Sequence, residues 1–168
     1  MSSVTAVVTG VGAAVGISII KALRMASLPV RILGVDAEPL APGLFLADTG
    51  CRAPSCRQDP DAYFEWLVAL CRRESAQILF PGWEGELPLL CDRKAEFEER
   101  TGTLLPFRPA AVATALDKWQ TVQALAAAGV GAPDSVLPSD AAALAAFRER
   151  HDFPYVIKPR RGWGGQNL

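Results

Sequence analysis

The sequence predicts an α/β fold: an open parallel sheet over residues 1–108, followed by an incomplete α+β unit over residues 109–168. Three observations carry this. The apolar, β-branched run VTAVVT at residues 4–9 lacks alternation, as a strand buried on both faces does. Strand-like and helix-like periods then alternate as far as residue 105, which calls for helices on both faces of the sheet. Beyond Pro109 that order changes and a second unit begins.

The elements follow in order. After the first strand, Gly10, Val11 and Gly12 interrupt the run. Val15, Ile19, Ala22, Leu23 and Ala26 then recur at helical spacing over residues 13–26. Pro29 marks a loop, and residues 30–35 form a second strand ending at Asp36. This is a βαβ unit, for which a right-handed crossover is expected. Residues 39–54 are rich in Pro and Gly, with a short apolar run at 44–47 and a short strand near 50–53. Asp59 or Asp61 caps a helix to about Glu74, with Phe64, Leu67, Val68 and Cys71 on one face. Residues 77–80 form a strand ended by Pro81-Gly82, residues 84–100 a helix with a charged outer face, and residues 103–105 the last strand. In the second unit Pro109 opens a short helix, and Asp117 caps a helix over 118–128 closed by Gly129. Residues 135–137 and 155–158 are expected strands, and Ser139 or Asp140 caps the helix between them.

Composition narrows the function. A length of 168 residues suits one domain, or one domain and part of another. Half of the residues are hydrophobic and 21% are charged, so the chain is globular rather than disordered. A net charge of −1 lacks the electrostatic footprint of a nucleic-acid binder. No apolar run reaches the roughly 18 residues of a membrane span. No secretory leader is read at the N-terminus, so a cytoplasmic setting is expected. The four cysteines match no zinc spacing and His151 is the sole histidine, so reduced thiols are expected and no metal site.

Three constellations bear on chemistry. TGVGAAVG, residues 9–16, is a strand-to-helix turn where free backbone N–H groups and the helix dipole favour an anion. With Asp36 twenty residues past Gly16, it has the layout of a dinucleotide site, but its G-x-G-x-x-x-G spacing is one residue long. Gly10, Gly12 and Gly16 therefore either touch a ligand or serve only a tight turn and close helix–sheet packing. PGWEGELPLL puts Glu84 and Glu86 at a strand end, where open α/β sheets bind ligands, or where acids simply complement a helix dipole. Lys118 follows a helix cap, while Lys158 ends an apolar strand ahead of Gly162, Gly164 and Gly165. An ammonium beside glycine amides suits a phosphate, although the Walker signature is missing.

These passages together resemble the ATP-grasp superfamily, in particular its carbamoyl-phosphate-synthase-like branch. TGVGAAVGISIIKAL followed by VRILGVD resembles the opening of the Rossmann-like pre-ATP-grasp domain. FPGWEGELPLL resembles that domain's P-x-x-[DE]-x-E-L passage. LDKWQTVQALAAAGVGAPDSVL and YVIKPRRGWGGQNL resemble the start of the ATP-grasp domain and its strand with glycine loop. The resemblance implies a ligase that activates a small-molecule carboxylate with ATP and Mg2+ as an acyl phosphate, which an amine-type nucleophile then attacks. It assigns Lys118, Lys158, Gly162, Gly164 and Gly165 to the ATP phosphates. Gly10, Gly12, Gly16, Asp36, Glu84 and Glu86 fall on the substrate side. The residues that hold adenine and Mg2+ in this superfamily lie beyond the glycine loop. These 168 residues are therefore expected to be an N-terminal fragment of the ligase that binds ATP weakly and does not catalyse. The alternative is a module binding NAD(P) or a nucleotide sugar through Gly10–Gly16 and Asp36. A homodimer built on the first domain is a further open reading.

Overall fold

The computed structural model describes residues 3–162. The chain divides into two compact units, Met1–Phe107 and Arg108–Leu168.

The first unit runs β1 (Val4–Thr9), α1 (Ala14–Arg24), β2 (Val30–Asp36), α2 (Pro42–Leu46), β3 (Thr49–Arg52), α3 (Pro60–Arg73), β4 (Ile78–Phe80), α4 (Leu87–Asp92) and α5 (Lys94–Thr101). The sheet is fully parallel in the order β3-β2-β1-β4. β1 is central: Val4 to Thr9 pair with Val30 to Val35 on one side, and Ala6 to Val8 pair with Ile78 to Phe80 on the other. That position explains the absence of alternation. Val7 points into a core of Leu33, Phe64, Leu67, Leu79 and Phe97, while its neighbour Val8 points into a second core of Val11, Ile20 and Ile32. Both faces are apolar because both are covered.

Several local expectations are corrected. Val15 is 58% exposed, and α1 instead buries Gly16 and Ile20. The helix approaches the strand ends so closely that its inward position must be a glycine. The apolar run at 44–47 belongs largely to helix α2, which Pro42 initiates, because a proline at the first turn lacks only an N–H the helix does not use. Residues 103–105 contribute a single parallel bridge, Ile78 with Leu104, rather than a strand. Left-handed Gly102 precedes this bridge, and Pro106, with no N–H to donate, follows it. The helix expected over 84–100 is a 3-10 turn at Glu84–Glu86 followed by α4 and α5. The break falls at Arg93, whose guanidinium lies 3.5 Å from the centre of the Phe64 ring and pairs with Glu96 and Asp61. Arg93 and Arg100 together hold the Glu96 carboxyl down at about 2.

The second unit contains α6 (Pro109–Ala115), α7 (Lys118–Ala127) and α8 (Ala141–Arg150). Asp117 caps α7 by accepting the Trp119 and Gln120 N–H groups, and Gly129 at φ +69° closes it. Asp140 caps α8 through the Ala143 N–H. Residues 135–137 and 155–158, expected as strands, have no ladder partner among the described residues. Val156 and Ile157 are 78% and 82% exposed. A strand is defined by its partner, and prolines at 133, 138, 154 and 159 remove donors at the borders of both segments.

Phe97 is fully buried and packs edge-on against Phe64 with centroids 5.8 Å apart. Phe97→Ala is expected to lower unfolding stability by about 3–5 kcal/mol, read as a shift in urea midpoint, whereas a change below about 1 kcal/mol would refute this packing.

Candidate functional site

Sheet order locates the site. The chain lays β1, β2 and β3 outward in one direction and then returns to place β4 on the other side of β1. A crevice opens beyond the carboxyl ends of the strands, walled by the loops that follow β1, β2, β3 and β4. The crevice has a volume of about 550 Å³, and its walls include Gly12, Asp36, Cys56, Arg57, Tyr63 and Trp83.

The glycines of the first loop divide by role. Gly10 sits at φ +58°, and a Cβ there would lie 2.6 Å from Trp83 Cβ. A Cβ on Gly16 would lie 2.5 Å from the Gly10 carbonyl oxygen. These two glycines let the β1 loop, the β4 loop and the first turn of α1 touch, which is the packing role. Gly12 is exposed at the crevice, and its N–H donates to Asp36 Oδ2 at 2.6 Å. Asp36 Oδ1 accepts the Glu38 N–H at 2.9 Å. Both carboxylate oxygens of Asp36 thus already bind the chain's own amides, one of them in the glycine loop itself.

Beneath the crevice lies Glu86, 1% exposed. Its Oε1 accepts the Thr9 hydroxyl at 2.5 Å and the Trp83 N–H at 3.3 Å, and its Oε2 accepts the Tyr63 hydroxyl. Thr9 Oγ1 in turn accepts the Gly82 N–H at 3.3 Å. Burial raises the Glu86 carboxyl above its ordinary value, against the pull of these donors. Burial and the facing Glu86 also raise the Tyr63 phenol well above its usual range. Cys56, on the crevice wall, is pushed up to about 11 by burial, so its thiol stays protonated. Arg57 is exposed, with its guanidinium 5.2 Å from the centre of the Trp83 ring.

The structure therefore brings Gly10, Gly12, Asp36 and Glu86 to one crevice. Glu84 is half-buried in its 3-10 turn and does not line it. Thr9, Cys56, Arg57, Tyr63 and Trp83 were not singled out by sequence reasoning. One signal for Tyr63 was available: the Asp59 cap sets the phase of α3 and turns Tyr63 inward with Phe64 and Leu67.

The family PylC-like, N-terminal domain, matches residues 7–105, more than half of the chain. The chain belongs to this family. The PylC-like match runs from Val7, midway along β1, through β2, β3 and β4 to the bridge at Leu104. It agrees with the ATP-grasp resemblance, and the first unit is a pre-ATP-grasp domain. A search of curated proteins returns no match to this sequence. Among solved structures, N5-carboxyaminoimidazole synthetase from Staphylococcus aureus, complexed with ADP, superposes with a TM-score of 0.64 at 16% identity, over 95% of this chain and 39% of that one. An ADP complex of N5-carboxyaminoimidazole ribonucleotide synthetase gives 0.60 at 17% identity, over 99% and 39%. The biotin carboxylase domain dimer of Hydrogenobacter thermophilus 2-oxoglutarate carboxylase, with MgADP, ADP and bicarbonate, gives 0.56 at 19% identity, over 96% and 35%. At these identities the likeness is one of fold. The PylC-like chain spans less than two fifths of each of these proteins.

The expected phosphate residues of the PylC-like chain lie in its second unit. Lys118, at the start of α7, is exposed and donates through Nζ to the Gly162 carbonyl at 2.9 Å. Lys158 is exposed in the unpaired segment before Pro159. Gly162 sits at φ +124°, a conformation that L side chains rarely adopt. Gly164 and Gly165 lie outside the described residues.

Glu86 makes a pH-dependent contribution to stability. Its folded pKa is raised, so between the unfolded and folded values the native state binds more protons and stability falls as pH rises. Wild type is expected to lose stability relative to Glu86→Gln as pH climbs above the ordinary carboxylate range. Denaturant midpoints for both proteins across that range test it, and a constant difference between them would show that Glu86 does not titrate in this window.

Proposed function

We propose that this chain is the N-terminal part of an ATP-dependent carboxylate ligase, carbamoyl-phosphate-synthase-like in the order of its motifs. Its first unit is the substrate-side domain, and its second unit opens the ATP-binding domain. One observation carries the reading: the family match over 7–105 coincides with a crevice beyond the carboxyl ends of the parallel strands, where α/β sheets bind small molecules. The crevice also has a suitable cation. Arg57 is the basic residue among its lining residues, and its guanidinium lies over the Trp83 ring, 5.2 Å from the centroid, a cation–π contact that favours one placement of its fork for a carboxylate.

The residues of the second unit fit the phosphates of MgATP. Lys118 and Lys158 are exposed ammonium groups, and Gly162, at φ +124°, presents backbone with no side chain. When bound, MgATP supplies the phosphoryl group that activates the carboxylate for attack by an amine-type nucleophile. The two lysines neutralise charge on the phosphates, and Arg57 orients the carboxylate. MgATP is expected to bind the 168 residues weakly, because they span about two fifths of the similar enzymes. The setting is cytoplasmic, and no helix among the described residues is long and apolar enough to cross a membrane.

The competing dinucleotide reading would use Asp36 for a ribose hydroxyl. In the structure that carboxylate already accepts the Gly12 and Glu38 amides, which disfavours it.

Titration by NMR separates the two. Small carboxylates are expected to shift the Trp83 indole signal, and Arg57→Ala is expected to weaken that binding about tenfold. Tight NADH binding that is lost in Asp36→Ala would instead establish the dinucleotide module. Micromolar MgATP affinity measured by calorimetry would contradict the fragment reading. Light scattering tests the accompanying homodimer, for which a strict monomer at high concentration would count against self-association.

A further inference from the structure

Arg160 and Arg161 stand directly ahead of the glycine-rich run, and the proposed phosphate chemistry leaves both without a role. Arg160 is tied down twice. Its carbonyl oxygen accepts the Lys118 N–H at 2.9 Å. Its guanidinium grips Asp117 through two bonds, Nε to Oδ1 at 3.1 Å and Nη2 to Oδ2 at 2.5 Å. Asp117 is only 1% exposed, and the same Oδ1 caps α7 by accepting the Trp119 and Gln120 N–H groups. Arg161 Nε stands 3.8 Å from Asp117 Oδ2. Lys118 Nζ closes the ring by donating to the Gly162 carbonyl.

One carboxylate therefore holds two stretches of chain together. It orders the first turn of α7 with one oxygen and takes the Arg160 fork with both. A cap alone would need no arginine, since two amides already satisfy that role. The fork adds direction, because a planar guanidinium binding both oxygens fixes the carboxylate plane and the backbone that carries the arginine. It also changes the local field. A lone Asp117 beside Lys118 would repel an incoming phosphate. Arg160 and Arg161 put two cations on that one carboxylate.

We propose that Arg160 is a positioning residue, whose clamp on Asp117 seats segment 160–162 against the first turn of α7 and thereby places Lys118 for an anionic ligand. The ligand in question, a polyphosphate, rests on the ligase reading above. The clamp itself does not.

Amide hydrogen exchange in the full 168-residue chain tests the clamp at single residues. In Arg160→Ala the Lys118 amide, which donates to Arg160, is expected to exchange about tenfold faster. The Trp119 and Gln120 amides, which Asp117 still caps, are expected to keep their rates. Arg160→Lys retains the charge but lacks the fork, and should leave the Lys118 amide closer to the alanine variant than to wild type. A residue that only stabilised the unit would move all three amides together. Equal acceleration at all three, an unchanged Lys118 amide, or full rescue by lysine would each overturn the proposal. A separate titration of the wild-type chain with MgATP, followed at the Lys118 amide, addresses the ligase reading, so that failure of one is not mistaken for failure of the other.

Discussion

A single buried carboxylate organises the first unit. Glu86 lies under the crevice and takes hydrogen bonds from the end of β1, from α3 and from the loop after β4. An ionisable group so deeply buried is costly unless its oxygens are satisfied, and here every donor comes from a different part of the fold. The partners are therefore mutually dependent. Thr9 must end its strand, Tyr63 must face inward, and Trp83 must turn back for the carboxylate to be tolerated.

Above that carboxylate, close backbone contact replaces side chains. Gly10 and Gly16 let the β1 loop, the β4 loop and helix α1 meet with no room for a Cβ. Motif and packing are thus the same fact viewed twice. The glycine run is needed to assemble the crevice: Gly10 and Gly12 line it, and the Gly12 amide binds Asp36. Among the side chains that line the crevice, Arg57 from the loop after β3 and Trp83 from the loop after β4 meet in a cation–π contact.

Much of both units was legible because the signals are local. Unalternating β1, the Asp59, Asp117 and Asp140 caps, and the Gly129 stop each act through neighbouring residues, and each appears in the structure. The candidate site was less legible. Asp36 and Glu86 were named from strand-end positions, but whether each faced a ligand or the protein depended on partners distant in sequence. Glu86 and Thr9 are 77 residues apart. Tyr63 and Arg57 carry no short motif, Trp83 is an unspecified position within PGWEGELPLL, and only the return of β4 to the far side of β1 brings Trp83 against the glycine loop. The segments at 135–137 and 155–158 have strand-like composition, yet pairing is a property of two segments and composition describes one.

By itself the sequence determined the parallel α/β class, the helix boundaries set by capping residues, and the ATP-grasp kinship carried by the order of its motifs. These follow from backbone preference and hydrophobic period, which act within a few residues. Tertiary structure alone decided which glycines pack and which face the crevice, that Glu86 is satisfied internally, and that Arg160 closes on Asp117 across 43 residues of sequence. Those outcomes depend on distances between segments. Such distances exist only once the sheet order has brought the loops together, or, for the arginine, once the second unit has folded.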